Sequence, residues 1–192
     1  MADANPRSIA LVGPYGSGKS TLFDALLRSA GAAPKRSEAA RDRPMTTELR
    51  LGHCTYLGEA WSILDCPGSV EFSHEAACAI AAVDLAVVVC EPAPAKAAAL
   101  SPLLRMLDEQ NAPYLVFINK VDTLDGRIRD TLAALQAFAR RPLVLRQVPI
   151  REEEAVRGYV DVVSERAYRY RPGQASELIS LPDTGPAPQL QA

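Results

Sequence analysis

The stretch that most constrains the fold is GPYGSGKS, residues 13–20, which matches the pattern G-x-x-x-x-G-K-[ST]. The apolar run SIALV precedes it. The segment after it, KSTLFDALLRSA, places Leu22, Leu26 and Leu27 on one helical face. A glycine-rich loop between a strand and a helix can turn its backbone N–H groups toward an anion at the helix N-terminus. The sequence therefore predicts a phosphate-binding loop, and a glycine-rich turn that binds nothing is the alternative.

Short apolar runs alternate with helical patterns along the rest of the chain. The predicted strands are ELRLGHCTYLG, AWSILDC, DLAVVVC, YLVFIN and LVLRQVPI, and the predicted helices cover about 71–82, 95–110 and 125–139. Near-continuous apolar strands separated by helices form parallel sheets that are covered on both faces. The predicted fold class is α/β, a P-loop NTPase with a mostly parallel sheet, helices on both faces and a small β-rich extension. The two strands before Cys66 can pair antiparallel at one edge.

Composition excludes several classes of protein. The 192 residues carry a net charge of −2, so no overall basic field attracts DNA or a membrane surface. The apolar runs are too short to span a bilayer, and the N-terminus lacks the pattern of a signal peptide. The cysteines form no metal-binding pattern and are interpreted as reduced thiols. These features predict a cytoplasmic protein without membrane or DNA partners.

The phosphate-binding loop assigns roles to particular side chains. Lys19 is expected to reach the β and γ phosphates, and the Ser20 hydroxyl is expected to bind Mg²⁺. The glycines let the backbone curl around the anion. The nucleotide-binding residues predicted in this loop are Gly13, Gly16, Ser17, Gly18, Lys19, Ser20 and Thr21.

A second motif, DCPG, follows the predicted strand AWSILDC. Asp65 ends this strand, where a P-loop NTPase has a carboxylate on the metal side. The alternative is that Asp65 caps a helix, but the next helical pattern begins several residues later. Gly68 suits a backbone N–H that approaches the γ-phosphate, since a side chain would block the approach. Asp65 and Gly68 are therefore further nucleotide-site candidates.

The third motif, FINKVD, indicates the base. Asn119, Lys120 and Asp122 end a buried strand in the pattern N-K-x-D, in which the aspartate accepts two N–H donors of guanine and the lysine stem lies along the ring. The phosphate loop, D-x-P-G and N-K-x-D occur in this order, each at the carboxyl end of a strand, where open α/β sheets bind ligands. Their combination predicts a GTP site and disfavours an ATPase or kinase.

Beyond these motifs, the chain resembles the G domain of translational GTPases, most closely elongation factor G. DCPGSVEFSHEA resembles that family's DTPGH-V-D-F segment, and MTTE (45–48) falls where its switch I threonine lies. The resemblance implies that Thr46, with Thr47 as the alternative, senses Mg²⁺ and the γ-phosphate. VLRQVPI and VRGYVDVVSERAYRY resemble the start of the subdomain that elongation factor G inserts in its G domain. Together, GPY-x-SGK, DCPGSVEF and LRQ-x-PI indicate the elongation factor G-like branch.

The chain departs from the family pattern in four ways. Ser69 stands where the family has the histidine that orients the attacking water, so we interpret it as a turn or capping residue as much as a catalytic one. His74 is expected to be a surface or packing residue. Gly16 replaces the phosphate-loop aspartate, and the loop before Thr46 is shorter than usual. The chain also ends before the segment that closes over the guanine in the family.

These observations define the expected organisation and function. We expect an N-terminal tail (1–6), a P-loop GTPase domain (7–149), a partial inserted subdomain (150–181) and a disordered tail (182–192). The expected activity is Mg²⁺-dependent binding of GTP or GDP with slow or partner-stimulated GTP hydrolysis. Catalysis is assigned to Lys19, Thr46, Gly68 and Ser69, and metal binding to Ser20, Thr46 and Asp65. The resemblance implies the ribosome as a partner, and the alternative is a non-hydrolysing GTP/GDP sensor or an inactive fragment.

Overall fold

The computed structural model describes residues 7–32, 49–68, 73–124, 126–152, 155–171 and 173–181. Its main sheet has five strands in the order β2-β3-β1-β4-β5. Their bounds are Arg7–Val12 (β1), Arg50–Tyr56 (β2), Glu59–Asp65 (β3), Leu85–Cys90 (β4) and Tyr114–Ile118 (β5). Only the edge strand β2 runs antiparallel to its neighbour, and the other pairs are parallel. The predicted mostly parallel sheet with an antiparallel edge pair is therefore confirmed.

The α-helices connect these strands. They cover Lys19–Ser29 (α1), Ser73–Ala81 (α2), Ser101–Glu109 (α3) and Ile128–Gln136 (α4). The prediction of one helix over about 95–110 is wrong, because Pro94–Leu100 forms a 3₁₀-helix and α3 begins only at Ser101. Pro102 lacks a backbone N–H and is tolerated in the first turn of an α-helix, so the chain restarts there. Within the described ranges, no helix has both the length and the apolar character needed to cross a bilayer.

Two apolar clusters cover the two faces of the main sheet. One face carries α1, and its buried residues are Leu11, Phe23, Leu27, Ile63, Val87 and Val89. The other face carries α2, α3 and α4, and its buried residues include Val12, Ile80, Val88, Leu104, Leu107 and Leu135. The clusters alternate along β1 and β4, as the two-residue period of a strand requires. The predicted helices on both faces are thereby confirmed.

A second, antiparallel sheet follows the main sheet in sequence. Its strands are Gln147–Glu152 (β6), Ala155–Asp161 (β7), Arg166–Arg169 (β8) and Glu177–Ile179 (β9), paired in chain order. This confirms the β-rich extension. The rings of Tyr159 and Tyr168, which lie opposite each other on β7 and β8, stack with centroids 5.1 Å apart.

One local prediction in this region is wrong. The strand predicted from Leu143 begins at Gln147, and the Leu143 N–H donates instead to the Gln136 side-chain oxygen at 2.7 Å. Further along, Gly158 lies inside β7, and the chain reverses at 162–165. A Cβ at this position would collide with the Tyr168 carbonyl oxygen, so the glycine permits a close approach of β7 to β8.

Candidate functional site

All three motifs meet at the carboxyl ends of the main-sheet strands. The phosphate loop follows β1, DCPG begins with the last residue of β3, and N-K-x-D follows β5. β3 and β1 are direct neighbours, and β4 separates β1 from β5. The motifs therefore lie along one edge of the sheet, which is the edge where open α/β sheets bind ligands.

Backbone conformation shapes the phosphate loop. Gly16 and Gly18 have φ angles of 78° and 92°, in the left-handed region that favours glycine. A Cβ on Gly13 would collide with the Val89 carbonyl oxygen of β4, so this loop position also requires the smallest residue. Gly18 is the N-cap of α1, and no acidic side chain occupies the first turn of that helix. The N–H groups and the positive end of the helix dipole are therefore available to an anion.

The Lys19 ammonium lies under this loop. Its Nζ donates hydrogen bonds to the carbonyl oxygens of Gly13 and Pro14, both at 2.9 Å, and the residue is 6% exposed. Burial lowers the pKa of Lys19, whereas the negative charge of Asp65 acts in the opposite direction. Of the other predicted loop residues, Ser17 is buried and Thr21 is exposed.

The side chain of Asp65 is fully buried at the end of β3. Its Oδ1 has no hydrogen-bond partner among the described residues, and its Oδ2 lies 3.4 Å from Nη1 of Arg50. Burial raises the pKa of Asp65, against opposing effects of the Ser20 hydroxyl, Arg50 and Lys19. Because α2 begins only at Ser73, Asp65 is not a helix cap.

Asp65 and Ser20 fit a small divalent cation. Both supply oxygen atoms, which Mg²⁺ prefers, and the hydrogen bond from Ser20 places its hydroxyl beside the Asp65 carboxylate. The unpartnered Oδ1 of Asp65 leaves one buried acceptor free for such a ligand. Asp65 and Ser20 are therefore the described residues that would hold the metal.

Arg50 completes this end of the site and was not found from the sequence. Its guanidinium lies 2.8 Å from Oδ1 of Asp24 and 3.4 Å from Asp65, and it covers the Phe23 ring at 4.6 Å. Asp24 is only 2% exposed, so the guanidinium lies between two buried carboxylates. No motif marks Arg50, since its partners come from α1 and β3 through the tertiary fold.

Gly68 lies against the phosphate loop. A Cβ at Gly68 would fall 2.5 Å from Lys19 Nζ and 2.8 Å from the Tyr15 backbone nitrogen, so a side chain would displace the lysine. The neighbouring Cys66 is buried, and burial raises the pKa of its thiol to about 12. Cys66 therefore stays protonated at neutral pH and acts as a packing residue.

The N-K-x-D segment is bound directly to the phosphate loop. Asn119 Nδ2 donates to the Ser17 carbonyl oxygen at 2.9 Å, and Lys120 Nζ donates to the Gly16 carbonyl oxygen at 2.6 Å. Asp122 lies in a short 3₁₀-helix, Val121–Thr123, and is exposed. The two hydrogen bonds fix the distance between the predicted base-reading and phosphate-binding segments.

Several predicted positions lie outside the described residues. These are Thr46, its alternative Thr47, and Ser69. His74 is described and lies in the first turn of α2, where it is exposed with Nε2 3.7 Å from Cys78 Sγ. This matches the prediction of a surface histidine.

Comparisons with known proteins agree with this geometry. The family model described as "Elongation factor Tu GTP binding domain" matches residues 4–163. An elongation factor G-like protein of Synechocystis sp. is 37% identical over an alignment of 188 positions, which covers 92% of this chain and 28% of that protein. Peptide chain release factor 3 of Lactobacillus acidophilus is 27% identical, with 97% of this chain and 39% of that protein aligned.

A solved structure is similar as well. A crystal structure of a protein from Thermus thermophilus superposes with a TM-score of 0.79 at 27% sequence identity, covering 93% of this chain and 28% of that one. The chain therefore spans 28% to 39% of the length of the three proteins compared.

Proposed function

Because the chain belongs to the elongation factor Tu GTP-binding domain family, we propose that it binds GTP and GDP with Mg²⁺ and hydrolyses GTP slowly. The resemblance to elongation factor G-like proteins, inferred from the motifs, agrees with the relative from Synechocystis. The observation that carries the proposal is the pair of hydrogen bonds from Asn119 and Lys120 to the phosphate loop. They support the proposal because they hold the predicted base-reading segment against the predicted phosphate loop.

In this proposal, different residues bind the phosphates and the guanine base. The backbone N–H groups at Gly16 and Gly18 bind the phosphates, and the Lys19 ammonium exchanges its two carbonyl acceptors for phosphate oxygens. At the other end, the Asp122 carboxylate accepts the two guanine N–H donors. The stem of Lys120 lies along the purine ring.

Ser20 and Asp65 hold Mg²⁺ in this proposal, and Thr46 is expected to join them. When bound there, Mg²⁺ would supply positive charge that stabilises the negative charge on the phosphates. Gly68 offers its backbone N–H toward the γ-phosphate, and the absence of a side chain keeps that approach open.

Hydrolysis in this proposal depends on help from a partner. A water molecule attacks the γ-phosphate in line with the leaving oxygen, and such catalysis rests on positioning and charge stabilisation. Ser69 stands at the water-orienting position, and its hydroxyl is a weak substitute for an imidazole. By family resemblance the partner is the ribosome, and the setting is translation in the cytoplasm.

A non-hydrolysing sensor of GTP and GDP is the second candidate. The specific observation in its favour is that His74, the only histidine near DCPG in sequence, is exposed on α2 beside Cys78. Under this alternative the protein binds both nucleotides without hydrolysing GTP, and a partner recognises whether GTP or GDP is bound.

A two-stage experiment tests both candidates. Fluorescent GTP and GDP are first titrated onto the purified protein with and without Mg²⁺, and phosphate release is then followed in a single turnover with and without ribosomes. Tight Mg²⁺-dependent binding and ribosome-stimulated release are expected. Binding without release under either condition supports the sensor, and absence of guanine nucleotide binding overturns both.

A further inference from the structure

Glu91 is an acidic residue that contacts Lys120 of the predicted base-reading segment. It belongs to none of the three motifs. It follows Cys90, the last residue of β4, and its side chain is 19% exposed. Its Oε1 lies 2.5 Å from Lys120 Nζ, and its Oε2 contacts Lys96 Nζ. These two ammonium groups hold the pKa of the Glu91 carboxyl below its usual range, so Glu91 is charged at neutral pH.

Lys120 is fixed at both its backbone and its side chain. Its φ angle is 55°, a left-handed conformation that is unfavourable for a non-glycine residue. The Thr123 hydroxyl and backbone N–H both donate to the Lys120 carbonyl oxygen, at 2.8 and 2.9 Å. The ammonium is held between Glu91 and the Gly16 carbonyl oxygen. The side chain is therefore anchored at its far end, with its methylene groups between the two anchors.

The end of β4 supplies contacts to the backbone as well as to the side chain. The Asn119 N–H donates to the Cys90 carbonyl oxygen at 2.7 Å. Cys90 thus positions the backbone where the base-reading segment begins, and Glu91, the next residue, holds the ammonium of Lys120. Adjacent residues at the end of one buried strand fix both parts of this segment.

We infer that Glu91 is a positioning residue for purine binding, which acts by holding the Lys120 ammonium so that the lysine stem faces the base. The inference rests on the proposed function. Glu91 is not expected to touch the nucleotide. Its contribution is preorganisation, because a lysine that is already ordered loses less rotamer freedom when a ligand binds.

The inference predicts which ligands respond to a loss of Glu91. The lysine stem contacts the ring face and is insensitive to the exocyclic 2-amino group, so GDP and IDP should weaken equally. Inorganic tripolyphosphate has no base, so its affinity should not change. A general collapse of the site would instead weaken all three ligands.

The test compares Glu91→Gln with the wild-type protein by calorimetric titration of GDP, IDP and tripolyphosphate. We expect GDP and IDP to bind about fivefold more weakly, the factor that follows from ordering one long side chain during binding. Tripolyphosphate should bind within about twofold of wild type. The matched control is Lys96→Met, which removes the other cation on Glu91 and should leave all three affinities within about twofold.

A double-mutant cycle tests whether Glu91 acts through Lys120. In a Lys120→Met background, Glu91→Gln should have no further effect on GDP affinity. If Glu91→Gln does not fold, Glu91→Asp provides the same test, since it keeps the charge but withdraws the carboxylate by one methylene.

Three results would overturn the inference: unchanged GDP affinity, equal weakening of tripolyphosphate, or an additive effect in the Lys120→Met background. Failure of the proposed function looks different. In that case the wild-type protein itself binds no GDP, whereas each of these three results leaves GDP binding by the wild-type protein intact.

Discussion

A carboxylate lies at each end of the main sheet, and the pKa values of the two carboxylates are shifted in opposite directions. At the carboxyl end, Asp65 is fully buried, and burial raises its pKa. At the amino end, Asp84 accepts hydrogen bonds from the backbone N–H and the hydroxyl of Ser8, at 2.7 and 2.8 Å. These hydrogen bonds lower the pKa of Asp84.

The difference separates the residues that we propose to bind ligands from residues that support the fold. The amino end joins opposite charges near the surface, as in the pair of Arg7 and Glu59, which are 56% and 38% exposed. The carboxyl end buries Lys19 and Asp65 and leaves Asp65 Oδ1 without a partner among the described residues. Buried charge with unused bonding capacity is typical of a ligand site. We therefore expect substitutions at the carboxyl end to have the larger effects.

The largest effect is expected for Lys19→Met. A charge-assisted contact to phosphate contributes about 3 kcal/mol, so GTP affinity should fall about 100-fold. Titration with fluorescent GTP measures this. Lys96→Met, the same substitution at an exposed lysine, should leave affinity nearly unchanged. Comparable losses in the two variants would show that Lys19 has no special role.

The second effect concerns stability. Arg50→Met leaves the buried carboxylates of Asp24 and Asp65 without their shared cation, which should reduce the free energy of unfolding by about 3 kcal/mol. Urea denaturation measures this loss. The matched variant at the amino end, Arg7→Met, breaks an exposed pair and should cost no more than about 1 kcal/mol. An equal loss in both variants would remove the distinction between the two ends.

Sequence patterns were sufficient for the main sheet because most of its strands are short apolar runs, with β1 and β4 largely buried, and because its loops carry long motifs. The order of the three motifs places Lys19, Asp65 and Asn119 at one edge without any coordinates. Arg50 and Glu91 could not be predicted in this way. Each is a single charged residue whose partners come from other parts of the chain, and charged residues at strand ends are usually solvated.

Local errors came from competition between backbone and side-chain hydrogen bonds. The apolar segment at Leu143 has the pattern of a strand, but Gln136 takes the N–H of Leu143, and Gln136 Nε2 donates to the Ala139 and Arg141 carbonyl oxygens. These bonds hold 139–143 in an irregular segment after α4, outside either sheet. Periodicity alone contains no information about such a side chain.

The third effect concerns base selection. Asp122→Asn removes one of the two acceptor interactions with guanine and should weaken GDP binding about tenfold, while xanthosine diphosphate gains affinity. Displacement of bound fluorescent GDP by GDP and by xanthosine diphosphate measures the ratio of the two affinities. Glu109→Gln, an amide substitution at the exposed end of α3, should not change it. An unchanged ratio in Asp122→Asn would contradict guanine reading by this residue.

The smallest effect is expected at the amino end, in the pH dependence of stability. Because the pKa of Asp84 is lower in the folded protein, its stabilising contribution is fully present above the unfolded pKa of about 4 and is lost as the pH falls through the folded pKa. The stability difference between wild type and Asp84→Asn should therefore be constant near neutral pH and shrink below about pH 4. Urea denaturation across this pH range measures the stability difference.

A difference that stays constant to low pH would contradict the Ser8 interaction. A change in GDP affinity at neutral pH would contradict the separation of the two ends of the sheet. The expected result, altered acid stability with unaltered binding, would assign Asp84 to the fold alone.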